Sequence, residues 1–390
     1  MSLGVSLEVM PGTACVYMSP FAGVGGTQEY ITVLACRMAK LARVAVMLPF
    51  DPAQVERFQP RLAEAGVTCI SLPEDFCAPF ARWRYDRRWC VGRELASKIV
   101  AFAGSDTLIA HANIDPISLG GLASRLGQRA GIVNTFHDFG VITKPSISRP
   151  LNSLVAALFL RRVRFITPSQ IVKRELLQFV MATDPARVHP IPTGIDPLPS
   201  IATADWHTPA RIYVMSRVSE AKAPDVFLEA VRKFIARGGR ADFTWIGGGP
   251  LLEWAKAKVA ELKLSDHVRF LGYLNDARPV LQGQDLFLLS SRWEGGCPPR
   301  GVLEAISQGF PCILPAITSI EEALGQGDAA LFYRKGDADS LAQALRQAVE
   351  SQAAMAVRAH AARDIFHARH LAEQEFRGTL ALYKEDLAAT

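Results

Sequence analysis

Short β-branched runs alternate with longer helical patterns along nearly the whole sequence, and this alternation constrains the fold more than any other feature. In the first half the runs are ACVYM (14–18), RVAVML (43–48), TLIAH (107–111), IVNTF (132–136) and RFIT (164–167). Helical patterns such as TQEYITVLACRMAK (27–40) separate them. A strand, a helix and another strand in succession predict parallel pairing, because the helix carries the chain back to start the next strand in the same direction. The polar, Pro-containing segment IDPLPSIATADWHTPA (195–210) breaks the rhythm and reads as a linker. The pattern then restarts with RIYVMS (211–216), DFTWIG (242–247), VRFLG (268–272), DLFLLS (285–290) and CILPA (312–316), and the chain ends in helix from about residue 337. The expectation is an α/β protein of two doubly wound, Rossmann-like domains, 1–195 and 196–368. Residues 369–390 are expected to form a helix returning to the first domain.

Composition agrees. At 390 residues the chain exceeds the usual size of one core, and 49% apolar with 21% charged residues is ordinary for a globular protein. The seven cysteines, at 15, 36, 69, 77, 90, 297 and 312, show no C-x-x-C spacing, so neither a disulfide framework nor a zinc site is expected, and a reducing compartment suits them. The N-terminus has no basic start with an unbroken apolar core, and the longest apolar run, LVAALFL (154–160), is far short of a membrane span. A cytoplasmic location is expected, or a peripheral one on the inner membrane face. His367 and His370, in FHARH, read as decorating a solvated helix.

Charge is uneven. Residues 1–195 hold 21 Lys/Arg against 14 Asp/Glu, and residues 196–390 hold 22 against 24. A basic half suits either solubility or an anionic partner. The stretch RWRYDRRWCVGR (82–93) interleaves arginines with aromatics, and RRVR lies at 161–164. No nucleic-acid motif accompanies them, which argues against nucleic acid. Arg82, Arg84, Arg87 and Arg88, with Trp83 and Trp89, form the expected contact with an anionic membrane surface.

In open parallel sheets ligands bind beyond the carboxyl ends of the strands, and two such domains are expected to face a central cleft. Residues just after each strand are therefore candidates. Gly23, Gly25 and Gly26 follow the first run, in SPFAGVGGTQEY; Gly247, Gly248 and Gly249 follow DFTWIG, with Pro250 expected at the first position of the next helix. Each could serve only a tight turn. Arg217 and Lys222, in SRVSEAK, could clamp a diphosphate, or pair with nearby acids such as Glu220. In SSRWEGGCPPRGVLEAISQG (290–309), Glu294, Gly295 and Gly296 precede a helix that holds Glu304, so bare N–H groups and two acids lie close together in sequence. His111 could line a ligand site or be a satisfied structural histidine. The sequence DAD (337–339) reads as a helix cap, so no metal is assigned.

Taken in order, GVGGTQEY, NTFHDF, TPSQIVKREL, PTGID, SRVSEAK, WIGGGPL, VRFLGYLND and WEGG…VLEAISQG resemble the retaining, nucleotide-sugar-dependent glycosyltransferases of family 4, from about residue 20 to 350. The resemblance implies the GT-B fold. It makes Arg217 and Lys222 the diphosphate pair, the first-loop glycines Gly25 and Gly26 a phosphate and sugar contact, and His137 a donor-sugar contact near the reacting carbon. Glu304 would hold the ribose hydroxyls and Glu294 would face the donor sugar. Gly248 and Gly249 would border the donor, and the N–H groups at Gly295 and Gly296 would help hold its diphosphate. Two departures stand out. Nine residues separate Glu294 from Glu304 where the family has seven, so the position eight before Glu304 is Gly296; keeping Ser291-x-x-Glu294 in register puts two extra residues in GGCPPRG. Thr193 stands where the family usually has Asn.

The implied reaction is metal-independent transfer of a hexosyl or related group from a UDP- or GDP-sugar to a hydroxyl of a glycan or lipid-linked acceptor, with retention at the anomeric carbon. Polysaccharide or glycolipid assembly is the expected setting. No cofactor is expected, since the nucleotide sugar is the substrate. Two rivals share the donor site: a GT-B nucleotide-sugar epimerase, which needs no acceptor, and a catalytically impaired donor-binding partner subunit, suggested by the altered glutamate spacing.

Overall fold

The computed structural model of the chain describes residues 7–19, 26–72, 85–136, 148–180, 182–202, 205–325 and 327–388. The chain divides into two compact units, one of residues 1–192 and 372–390, the other of residues 193–371.

In the first unit β1 (Thr13–Met18), β2 (Arg43–Leu48), β3 (Thr68–Ser71), β4 (Thr107–Ala112), β5 (Ala130–Thr135), β6 (Arg164–Thr167) and β7 (Val188–Pro190) form one parallel sheet of order β3-β2-β1-β4-β5-β6-β7. Helices α1 (Gly26–Met38), α2 (Pro52–Glu64), α3 (Tyr85–Ala103), α4 (Pro116–Leu126), α5 (Ser148–Phe159) and α6 (Gln170–Phe179) lie between successive strands. Every residue of β1 is buried, as a central strand covered on both faces must be. Aspartates cap α2 and α4: Asp51 accepts from the N–H of Gln54, and Asp115 from those of Ile117 and Ser118, each followed by a proline at the first helical position.

The second unit repeats the plan with β8 (Ala210–Met215), β9 (Ala241–Ile246), β10 (Val268–Gly272), β11 (Leu286–Leu288), β12 (Cys312–Pro315) and β13 (Leu331–Tyr333), in the parallel order β10-β9-β8-β11-β12-β13. Its helices are α7 (Pro224–Ala236), α8 (Leu252–Glu261), α9 (Arg278–Leu281), α10 (Arg300–Ser307), α11 (Thr318–Leu324), α12 (Ala338–Glu350) and α13 (Gln352–Arg369). The chain ends in α14 (Ala372–Ala388), which belongs to the first unit, where Phe376, Leu380, Leu382 and Tyr383 enter its core.

Three strands went unread in the sequence: β3, β7 and β13. Each has three or four residues at a sheet edge, and β3 is only partly buried, so none leaves a hydrophobic period. Asp337 does cap α12, accepting from the N–H of Ser340, while Asp339 pairs with Lys233 and Arg237. The expected linker is tied down at several points. The N–H of Leu198 bonds Ser307 Oγ at 2.8 Å, and the N–H groups of Ile201 and Ala202 bond the Gln308 carbonyl.

His370 corrects a sequence expectation. It is buried at the end of α13, with Nδ1 2.8 Å from the Thr193 carbonyl, and its own carbonyl accepts from the N–H of Ile195. Burial pushes its pKa below the ordinary histidine value. His370 thereby holds residues 193–195 beside residue 371 in the second unit, whereas His367 is the solvated one.

His111 is the satisfied structural histidine. It is buried, with Nδ1 2.5 Å from Tyr383 Oη and Nε2 2.6 Å from Thr135 Oγ1, and Tyr383 in turn donates to Tyr17 Oη at 3.3 Å. This network fastens α14 to the first sheet. Tyr383→Phe leaves the buried Nδ1 without that partner and is expected to cost about 1–3 kcal/mol, measured as a lowered urea midpoint. An unchanged midpoint would show that the network holds nothing.

Candidate active site

In the second unit three loops leave the carboxyl ends of β8, β9 and β11, and backbone bonds stitch them together. The N–H of Val218 donates to the Gly248 carbonyl at 2.8 Å, and that of Leu251 returns to the Val218 carbonyl at 3.0 Å. On the other side the N–H of Arg292 donates to the Ala221 carbonyl at 2.9 Å, and Ser290 Oγ to the Lys222 carbonyl at 2.7 Å. Ser319 Oγ donates to the Gly295 carbonyl at 3.1 Å and fixes the next peptide.

The glycines divide by cause. Gly247 (φ 140°) and Gly249 (φ 151°) have backbone conformations that disfavour a side chain; a Cβ would fall 2.0 Å from the Ser216 carbonyl oxygen at the first and 2.4 Å from the Val218 carbonyl oxygen at the second. Gly248 has neither restriction, and a Cβ there would meet only ordinary contacts with Tyr273, its Cβ at 3.6 Å and its N at 3.8 Å. The fold requires Gly247 and Gly249 but leaves Gly248 free to serve something outside it. Pro250 does not open the helix as expected: α8 begins at Leu252, because the bond to Val218 holds Leu251 out of helical register.

Charge is paired across the same loops. Lys222 Nζ lies 2.5 and 2.6 Å from the two oxygens of Glu294, with the side chains only 18% and 7% exposed. Lys222 therefore pairs with Glu294 and not with Glu220. Arg292 grips both oxygens of Asp225, whose pKa falls below the usual carboxylate range because of that hydrogen bond. Arg217 is exposed and makes no hydrogen bond or ion pair among the described residues. On α10, Arg300 Nε donates to Glu304 Oε1 at 2.8 Å. Pro299 stands at the N-cap of α10 and supplies no side-chain cap, so the first turn keeps donors for an external acceptor.

The second unit thus gathers Arg217, Lys222, Gly248, Gly249, Glu294 and Gly295 on stitched loops; Gly296 follows, and Glu304 lies one turn into α10. Gly26 opens α1 in the first unit, while Gly25 and His137 lie outside the described residues. Sequence reading missed Ser290, Ser319 and the Arg292–Asp225 pair, and it missed Ser216 and Ser291, whose buried hydroxyls have no partner among the described residues. The available signal was position, since Ser216, Ser290 and Ser291 lie just beyond strand ends.

The arginine–aromatic stretch also differs from expectation. Arg87 pairs with Glu94 at 3.0 Å, and Arg88, 16% exposed, lies 4.0 Å from Asp115. The half-buried Trp89 packs on Phe159, ring centroids 4.9 Å apart, and against Gly120, where a Cβ would come within 2.9 Å of the indole. Trp89 and Arg88 thus spend part of their surface on packing within the unit; Arg82, Trp83 and Arg84 lie outside the described residues.

Two family models match this chain, Glycosyltransferase Family 4 over residues 24–197 and Glycosyl transferases group 1 over residues 209–351. The chain belongs to the family 4 glycosyltransferases. A glycosyltransferase from Rickettsia africae superposes with a TM-score of 0.78 at 16% identity, covering 98% of this chain and all of that one. Anabaena HepE, solved with UDP-glucose, gives 0.73 at 17% identity over 97% of this chain and all of HepE. These likenesses establish the GT-B fold. The Escherichia coli UDP-Gal:alpha-D-GlcNAc-diphosphoundecaprenol alpha-1,3-galactosyltransferase is 27% identical over 58% of this chain and 62% of its own length. The first two curated relatives are matched over 38% and 62% of their lengths.

The glycine division generates a paired prediction for this family 4 chain. Gly249→Ala is expected to destabilise the second unit by about 1–3 kcal/mol through backbone strain and overpacking. Gly248→Ala should leave the denaturation midpoint unchanged. Equal effects on stability would overturn the division.

Proposed function

We propose that the chain moves a hexosyl or related group from a UDP- or GDP-sugar to a hydroxyl of a glycan or lipid-linked acceptor, with retention at the anomeric carbon and without a metal, in polysaccharide or glycolipid assembly. The observation that carries this reading is the Lys222–Glu294 pair, held on the stitched loops that follow β8 and β11. The UDP-glucose held by HepE supports the donor class, and the diphosphoundecaprenol substrate named for the E. coli relative supports a lipid-linked acceptor.

In this reading the donor's diphosphate lies against Gly248 and the first turn of α10, with Arg217 and Lys222 on its phosphates. The anomeric carbon–oxygen bond breaks and its electron pair leaves on the β-phosphate. The acceptor oxygen bonds to the same face of that carbon, and its proton passes to the departing phosphate oxygen. Arg217 and Lys222 neutralise charge as it develops, which lowers the barrier more than it tightens binding. Glu294 acts as a positioning residue, since its two oxygens fix the lysine ammonium. Glu304, on α10, takes the ribose hydroxyls.

Lys222→Ala is expected to lower kcat by about two to three orders of magnitude, a barrier change of about 2.7–4 kcal/mol, with the Kd for free UDP or GDP within a few-fold of wild type. The measurement is nucleotide release with acceptor present; turnover near wild type in a folded variant would reject the leaving-group role. Glu304→Ala should instead weaken the free nucleotide by about tenfold or more, the value of a hydrogen bond to a charged group, read by calorimetric titration. Unchanged affinity for the nucleotide that the wild type binds would remove the ribose assignment. Donor isomerisation without acceptor would redirect the reading to an epimerase.

A further inference from the structure

Helix α5 has the wrong outer face for a solvated helix. From Leu151 to its end at Phe159 it carries no charged residue on any side. Its inner face is spent, with Asn152, Val155 and Ala156 buried and Val155 and Ala156 in the core. One turn apart on the outside stand Leu154, 55% exposed, and Leu158, 62% exposed, flanked by Ala157 and by Phe159, which leans on Trp89. A surface helix normally turns its charged residues outward, and a helix apolar on both faces is covered on both.

The charge around α5 says what covers it. Residues 139–174 hold seven Lys/Arg and no Asp or Glu. Arg161 and Arg162 are exposed directly after α5 and make no ion pair among the described residues. Arg187 joins them, donating to the Arg162 carbonyl at 3.2 Å. An apolar strip ending in unneutralised guanidinium groups matches a surface that offers hydrocarbon under anionic headgroups.

We infer that the outer face of α5, Leu154 and Leu158 with Arg161 and Arg162, docks the chain onto an anionic lipid bilayer. The leucines enter the headgroup–acyl boundary and the arginines meet phosphates at its edge. This surface differs from the 82–89 stretch, whose described residues are engaged inside the unit. The inference rests on the lipid-linked acceptor reading for its purpose, because docking brings the chain to the layer where that acceptor resides, but docking and turnover are read separately.

The test is co-sedimentation of the full chain with phosphatidylcholine vesicles, with and without phosphatidylglycerol, at low and high salt. Binding is expected only with phosphatidylglycerol and is expected to weaken in high salt. Leu154→Gln with Leu158→Gln should reduce it by about tenfold or more, as two buried leucines are lost. Arg161→Ala with Arg162→Ala should reduce it and flatten its salt dependence. Both variants change exposed residues, so unchanged thermal melting is the folding control, and unchanged nucleotide release with a soluble acceptor separates docking from catalysis. Equal binding to both vesicle types, no binding to either, or full binding by the leucine variant would overturn the inference. So would a wild-type dimer that the leucine variant dissolves, which would make the face a contact between copies. Loss of turnover on a soluble acceptor with docking intact would count against the proposed reaction and not against this surface.

Discussion

Everything in the second unit's site depends on how closely three strand-end loops approach one another. The loop after β8 is the shared member, bonded on one side to Gly248 and Leu251 and on the other to Arg292 and Ser290. Backbone-to-backbone bonds leave little freedom, so the positions of Arg217 and Lys222 follow from the sheet itself. The close approach is possible only because Gly247 and Gly249 lack a Cβ. Sites built in this way carry their geometry before any ligand arrives, which is what electrostatic stabilisation of a departing group requires.

The Lys222–Glu294 pair is costly as a source of stability. Two charges that are mostly withdrawn from water recover little net free energy from each other, and removing one strands the other. Such a pair makes better sense as a device that keeps an ammonium immobile beside a place where negative charge will develop. The altered glutamate spacing becomes intelligible on the same terms. Glu294 stays beside Lys222 and Glu304 stays in α10, so any extra length lies in the segment Gly295–Pro299 between two fixed ends. A loop absorbs added residues at small cost, whereas a strand or helix end would lose its register.

Much of this was legible in the residues. The central strands announce themselves because burial on both faces demands continuous apolar runs, as in β1 and β2. The edge strands do not, because three residues such as Val188–Pro190 carry no period. Asp337 as a cap and the glycine-bearing loops were readable because their local chemistry suffices. His370 was misread because elements distant in sequence bury it, and the packing of Trp89 was unread because its partners are also distant. His370 lies against Thr193, and Trp89 lies between Gly120 and Phe159. Lys222's partner lies 72 residues away and is equally invisible to local reading.

Net charge shows the same limit more sharply. The excess of seven positive charges in residues 1–195 is not the charge of the first unit, because residues 372–390 add four acids and two bases, bringing that unit to +5 and leaving the other neutral. Several arginines are also neutralised internally: Arg164 by Asp386 and Glu385, Arg43 by Asp106, Arg61 by Glu29, Arg37 by Glu373. What a partner meets is the remainder after these pairings, and at the end of α5 that remainder is Arg161 and Arg162. A count over sequence directs attention to the stretch with the most arginines. Only the pairing pattern identifies the arginines whose field reaches solvent, and Arg161 and Arg162, beside the exposed Leu154 and Leu158, are among them.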